Sequence, residues 1–192
     1  MKKVSLILLV AVSTLSFQAC SSKKTESTDS VENAEKSNEA KEEAGTGQPD
    51  DTNEFAVKAA NGGMLEVELG RLAEEKAASK DVKDFGAMMV KDHSKANEEL
   101  KTIAATQNIT LPSTLGEDEQ KHVNEMAKLS GADFDKKYVS MMVDDHKDDI
   151  EEFKKAAEDE KTNPAVKDFA TKTLPTLQKH MDAINAIDKK MK

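Results

Sequence analysis

Residues 85–100 read FGAMMVKDHSKANEEL, and residues 138–153 read YVSMMVDDHKDDIEEF. Seven of the sixteen aligned positions are identical: two Met, one Val, one Asp, one His and two Glu. At about 100° per residue, Phe85, Met89, Ala96 and Leu100 share one face of the first stretch. Tyr138, Met142, Ile150 and Phe153 share one face of the second. Each stretch is therefore an amphipathic helix, and each carries a histidine, His93 or His146, on its apolar face one turn after a methionine.

Working outward, the same period runs through most of the chain. It predicts long helices over 54–78, 81–107, 132–160 and 164–189, with a shorter one over 117–129. The first has Phe55, Leu65, Leu69 and Ala73 inward; the last has Val166, Phe169, Leu177, Ile184 and Ile187. Asn163 followed by Pro164 is a helix start: Asn accepts from free N–H groups, and Pro has no N–H to lose there. Pro175 removes one backbone bond inside the last helix and is expected to kink it. No segment alternates with period two. The expected fold is all-α, an antiparallel four-helix bundle with a short extra helix before the third long one. The repeat, with a weaker echo of VKDF at 82–85 and 166–169, suggests a duplicated helix hairpin.

The composition excludes several functions. The chain has 192 residues, 37% apolar and only 4% aromatic, enough for one compact domain plus accessory segments. Its formal charge of -9 leaves no electrostatic footprint for nucleic acid. A single cysteine excludes an intrachain disulfide and any Cys-rich metal site.

That cysteine, Cys20, closes an export signal. Lys2 and Lys3 precede an apolar run over 4–12, too short to span a bilayer, which takes roughly 18 apolar residues. Ala19–Cys20 resembles the lipobox of bacterial lipoproteins, although Phe17 and Gln18 stand where a smaller aliphatic pair is commoner. The resemblance makes 1–20 the signal peptide and lipobox, cut before Cys20, whose acylation anchors the chain to a membrane. Ser21 and Ser22, rather than Asp, resemble the outer-membrane sorting signal of Gram-negative lipoproteins. The expected location is thus the cell envelope, at the outer membrane and facing the periplasm or the surface. Residues 21–53 hold four lysines, nine acids and no aromatic. Such a stretch buries too little apolar area to offset its ordering entropy, and the expectation is a disordered acidic linker.

The inward faces of 54–190 are not wholly apolar. His93, His146 and His180 each fall on the inner face of a different helix, and Glu66 lies near the inner edge of the first, flanked by Gly62, Gly63 and Gly70. Inward ionisable groups cost several kcal/mol if unpaired, so they need each other or a cation. Imidazole and carboxylate suit zinc, iron or copper, and the expectation is one divalent ion held by Glu66, His93, His146 and His180. Asp92, Asp145, Asp149 and Glu68 are candidates to stand behind these ligands as hydrogen-bond partners. The pairs Met89/His93 and Met142/His146 also form a soft set suited to copper. A metal-free network, with carboxylates accepting from imidazoles, satisfies the same groups. His122, alone on the short helix, reads as a surface residue or a satisfied local contact.

The run GGMLEVELGRLA (62–73), then VKDFGAMMVKDH, FDKKYVSMMVDDH (134–146) and LPTLQKH (174–180), resembles the bacterial domain-of-unknown-function family 4142. The resemblance spans about 53–187. It implies a ferritin-like bundle in an exported or outer-membrane protein, and no assigned activity. The family's recurrent positions correspond to Glu66, Glu68, His93, Tyr138, His146, Pro175 and His180. Di-iron bundles place Glu-x-x-His on two helices. Here Val90, Val143 and Leu177 precede the histidines by three, so a di-iron centre is not expected. Three classes of function remain: a non-enzymatic envelope module binding one metal, a structural or partner-binding bundle with a polar core, and a hydrolytic enzyme whose single metal activates water.

Overall fold

A computed structural model describes residues 29–192. The expected signal, the lipobox and Cys20 lie outside the described residues. Six helices follow in order: α1 (Ser30–Glu43), α2 (Asp50–Lys76), α3 (Lys80–Gln107), α4 (Glu117–Met126), α5 (Gly131–Glu158) and α6 (Pro164–Met191). Among the described residues there is no strand, only an isolated bridge between Ala77 and Gly131. No described helix is long and apolar enough to cross a membrane.

Among the long helices, α2 packs on α3, α5 on α6, α2 on α5 and α3 on α6. Phe55 near the start of α2 meets Phe153 near the end of α5, with ring centroids 4.9 Å apart. The Ala77–Gly131 bridge joins the other ends of the same two helices. Thus α2 and α5 run in opposite directions, and the connection 108–130, which includes α4, carries the chain back along the bundle. Local chemistry sets the ends. Asn163 Oδ1 accepts from Ala165 N at 2.8 Å with Pro164 behind it, as its sequence requires. Asn108 stops α3 in the left-handed region at φ 57°. α6 continues through Pro175 without a break in assignment.

The expected disordered linker over 21–53 is corrected for its described part. α1 occupies Ser30–Glu43, and α2 begins at Asp50 rather than 54. Asp29 caps α1 by accepting from Val31 N at 2.7 Å. Asn38, 2% exposed, donates to Thr110 O at 2.9 Å and accepts from Thr110 N at 2.7 Å. Lys41 Nζ donates to Asn108 O at 3.0 Å. The composition argument counts apolar area, whereas α1 docks mainly by closing polar side chains onto the backbone of the crossover.

The core has two apolar parts with a polar layer between them. One contains Leu69, Phe85, Met89, Tyr138, Met142 and Ile184. The other contains Phe55, Leu100, Ile150, Phe153, Phe169 and Leu177. Between Met89 and Leu100 stands His93; between Met142 and Ile150 stands His146; between Leu177 and Ile184 stands His180. The repeat also finds its meaning here. Its copies lie on α3 and α5, the second helix of one pair and the first of the other, which meet through core side chains such as Phe85 and Tyr138. A hairpin duplicated in chain order would instead match α3 with α6. The repeated Met-x-x-x-His reflects two helices meeting one layer at the same height.

Candidate metal centre

The polar layer is built by close approach of α2 and α3. A Cβ on Gly70 would lie 2.7 Å from Gly86 O, and a Cβ on Gly86 would lie 2.7 Å from Gly70 O and from Ala73 Cβ. The two backbones touch at these glycines. One turn before Gly70 is Glu66, and two turns after Gly86 is His93, so the contact sets these two side chains against each other. Gly86 lies outside the sequence-based candidates. Its signal is a small residue on the inward face beside Phe85.

Glu66 is 2% exposed, His93 6%, and His146 and His180 are fully buried. His93 Nδ1 lies 2.7 Å from Glu66 Oε2. His146 Nδ1 lies 3.0 Å from Met142 O and 3.4 Å from Glu66 Oε1. His180 Nε2 lies 3.1 Å from Asp92 Oδ2. The second nitrogens of two of the rings face one another: His146 Nε2 and His180 Nδ1 are 3.3 Å apart. His93 Nε2 is buried with no hydrogen-bond partner. One ring nitrogen from each of the three histidines lies within 4.8 Å of those of the other two.

These contacts fix the tautomers by chemistry. A carbonyl or a carboxylate only accepts. His146 therefore carries its proton on Nδ1 toward Met142 O, and His180 on Nε2 toward Asp92. In the neutral rings, His146 Nε2 and His180 Nδ1 both present lone pairs. His93 follows the same pattern, with Nδ1–H on Glu66 and a lone pair on Nε2. Two ligands of a zinc-like ion at 2.0–2.1 Å and the tetrahedral angle stand about 3.3 Å apart, which is the separation of His146 Nε2 and His180 Nδ1. The donor set fits a metal: three buried imidazoles, each fixed from behind by an acceptor. Three histidines this close could hold a metal ion.

The electrostatics agree. Burial pushes the His146 imidazole below its usual range and the His180 imidazole down to about 4, favouring the neutral ligand form. Burial opposes charge on Glu66 as well, but the fields of His93 and His146 and the hydrogen bond from His93 outweigh it and hold its carboxyl low. Burial, then the Glu66 charge, raises Asp145 to about 7 and lifts Asp149 well above the usual carboxylate range. Tyr138 is fully buried with its hydroxyl unpartnered, and burial pushes its ionisation up.

The structure brings together Glu66, His93, His146 and His180, the four residues expected to converge. It places Glu66 against ring nitrogens that already carry protons, as the group behind His93 rather than facing the shared lone pairs. Asp92 stands behind His180. Glu68 does not join: its carboxylate pairs with Arg71 on the surface at 2.5 Å. Asp145 and Asp149 line an outer cleft with Glu66. Met89 and Met142 belong to the apolar part of the core, although Met142 supplies a carbonyl to His146. His122 is exposed.

The family described as "Domain of unknown function (DUF4142)" matches residues 35–187, and the chain belongs to that family. No curated protein and no solved structure matches it.

Proposed function

We propose that this chain is a cell-envelope lipoprotein, anchored through Cys20, whose ferritin-like four-helix bundle binds one divalent transition-metal ion without catalysing a reaction. His93 Nε2, His146 Nε2 and His180 Nδ1 are the ligands. Glu66, Met142 O and Asp92 hold the opposite ring edges. The observation that carries this reading is the pair of lone-pair nitrogens 3.3 Å apart in a fully buried layer. A metal-free network would put an N–H between two such rings, yet both outer nitrogens already face acceptors. Imidazole donors suit zinc, copper, iron and nickel, and zinc fits the tetrahedral spacing.

The full chain, purified without a histidine tag, is expected to contain or take up one zinc per molecule by elemental analysis and calorimetric titration. His146→Ala is expected to abolish measurable uptake and His122→Ala to leave it unchanged. Equal effects of the two, or no stoichiometric metal in the wild type, would leave the polar layer as a structural network. For the anchor, Cys20→Ser is expected to move the protein out of the membrane fraction or leave the signal uncut. A soluble wild-type protein with a free thiol would remove the lipoprotein reading.

A further inference from the structure

Two cavities meet at Glu66. The inner one, about 20 Å³, is lined by Gly63, Glu66, His93, Asn97 and Asp149, among apolar neighbours. It has room for about one water-sized guest. The outer one, about 220 Å³, opens between α2 and α5 and is lined by Glu66, Asp145, Asp148, Asp149 and Glu152, with Glu119 of α4 also on its wall. Glu66 and Asp149 are common to both. The single cation on the outer wall, Lys58, is already paired with Glu54 and Glu152.

The inner end of this cleft holds an unsatisfied group. Glu66 is 2% exposed, and its Oε1 accepts no hydrogen bond. His146 Nδ1, 3.4 Å away, gives its proton to Met142 O instead. Asp145 Oδ2 is likewise buried and without a partner. A buried carboxylate oxygen left unpartnered is costly, and a passing cation is the guest that satisfies it. Gly62 stands on the wall of this passage, where a Cβ would lie 3.9 Å from Asp149 Oδ1 in ordinary contact, and a longer side chain would reach into the cleft.

We infer that the acidic cleft between α2 and α5 is the entrance by which a hydrated divalent cation reaches the three-histidine centre, with Glu66 the carboxylate that receives it at the inner end. The inference rests on the metal-binding reading above. Asp148 and Glu152 on the outer wall capture the hydrated ion, and Glu66, bonded through Oε2 to His93, delivers it beside the ring whose Nε2 is free. A mouth of one sign with low-dielectric walls focuses cations and raises their rate of entry by 10–10³.

Stopped-flow measurement of zinc association with the full chain tests it, in low and high salt. Asp148→Asn/Glu152→Gln is expected to slow association about tenfold at low ionic strength and to flatten its salt dependence. Gly62→Leu is expected to slow association and dissociation together, so that affinity and the single-ion stoichiometry are kept; Gly62→Ala, which the space accommodates, controls for backbone effects. Glu74→Gln/Glu75→Gln, exposed on α2 beyond the cleft, is expected to leave the rate unchanged. Wild-type rates in both the charge and the plug variants, with one zinc still bound, would overturn the entrance and leave the metal site standing. Failure of the wild-type chain to bind zinc would remove the underlying reading and the entrance with it.

Discussion

Phe55, Phe153 and Phe169 fill one layer of the bundle; Glu66, His146 and His180, two to three turns along the same helices, fill another with His93 of α3. The aromatic layer is held by area. Phe153 meets Phe55 at 4.9 Å and Phe169 at 5.9 Å between centroids, at angles of 78° and 48°. Many rearrangements of such rings bury the same surface. The polar layer is held by direction. Each ring has a named acceptor on one edge; on the other, His146 Nε2 and His180 Nδ1 face each other and His93 Nε2 is unpartnered. The two layers divide the labour of stability and chemistry.

Substitutions can test that division. The largest expected effect is on the aromatic side: Phe153→Ala should destabilise by about 3–5 kcal/mol, read by chemical denaturation, while zinc affinity measured on the folded fraction stays at the wild-type value. A coupled loss of affinity would show that the layers are one unit. Next, Asp92→Ala should lower metal affinity by about 10–100-fold, because His180 Nε2 loses its acceptor, with a much smaller loss of stability than Phe153→Ala. An unchanged affinity would remove Asp92 from the site.

Titration separates the layers again, since only one of them titrates. With metal removed by chelator, unfolded His180 binds a proton near its usual value of 6.5, but folded His180 not until about 4. The unfolded state therefore holds more protons across that window, and stability falls as pH drops through it. His146, lowered by burial, acts in the same sense. Asp145 acts oppositely. Folded, it keeps its proton up to about 7, against 3.8 unfolded, so it erodes stability as pH rises through that range. Asp145→Asn should thus raise the melting temperature at pH 8 and not at pH 3. Equal shifts at both would show that the side chain does not titrate as its burial demands. The smallest expected effect is at the aromatic end: Asn163→Ala should cost about 1 kcal/mol by thermal melts, with no change in zinc binding.

The sequence makes the aromatic layer and the convergence of the polar one legible through the same device, the 3.6-residue period. Leu69, Met89, Met142 and Ile184 turn inward as their spacing requires, and the three histidines share those faces. Periodicity reports direction from the helix axis, however, and not what lies across it. It therefore cannot tell that Glu66 meets Nδ1 of His93, nor that Met142 serves through its carbonyl. It places Glu68 among the candidates although that side chain turns to Arg71. The glycine contact between Gly70 and Gly86 depends on two backbones meeting, and neither segment alone carries that information. α1 escapes notice for a different reason: its partner, Thr110, is reached through backbone atoms common to every residue.

The polar layer is also divided by the order of the chain, and folding inherits that division. Glu66 and His93 belong to the α2–α3 pair, and His146 and His180 to the α5–α6 pair. Each pair is joined by a short turn and closes quickly, because its contacts are near in sequence. The contacts between pairs, Glu66 with His146 and Asp92 with His180, wait for the long crossover to close its loop. Until then each half presents its own imidazoles to solvent as an incomplete chelate. A third nitrogen becomes available only when the two halves dock, so the full ligand set is among the last features to form on the way to the native state.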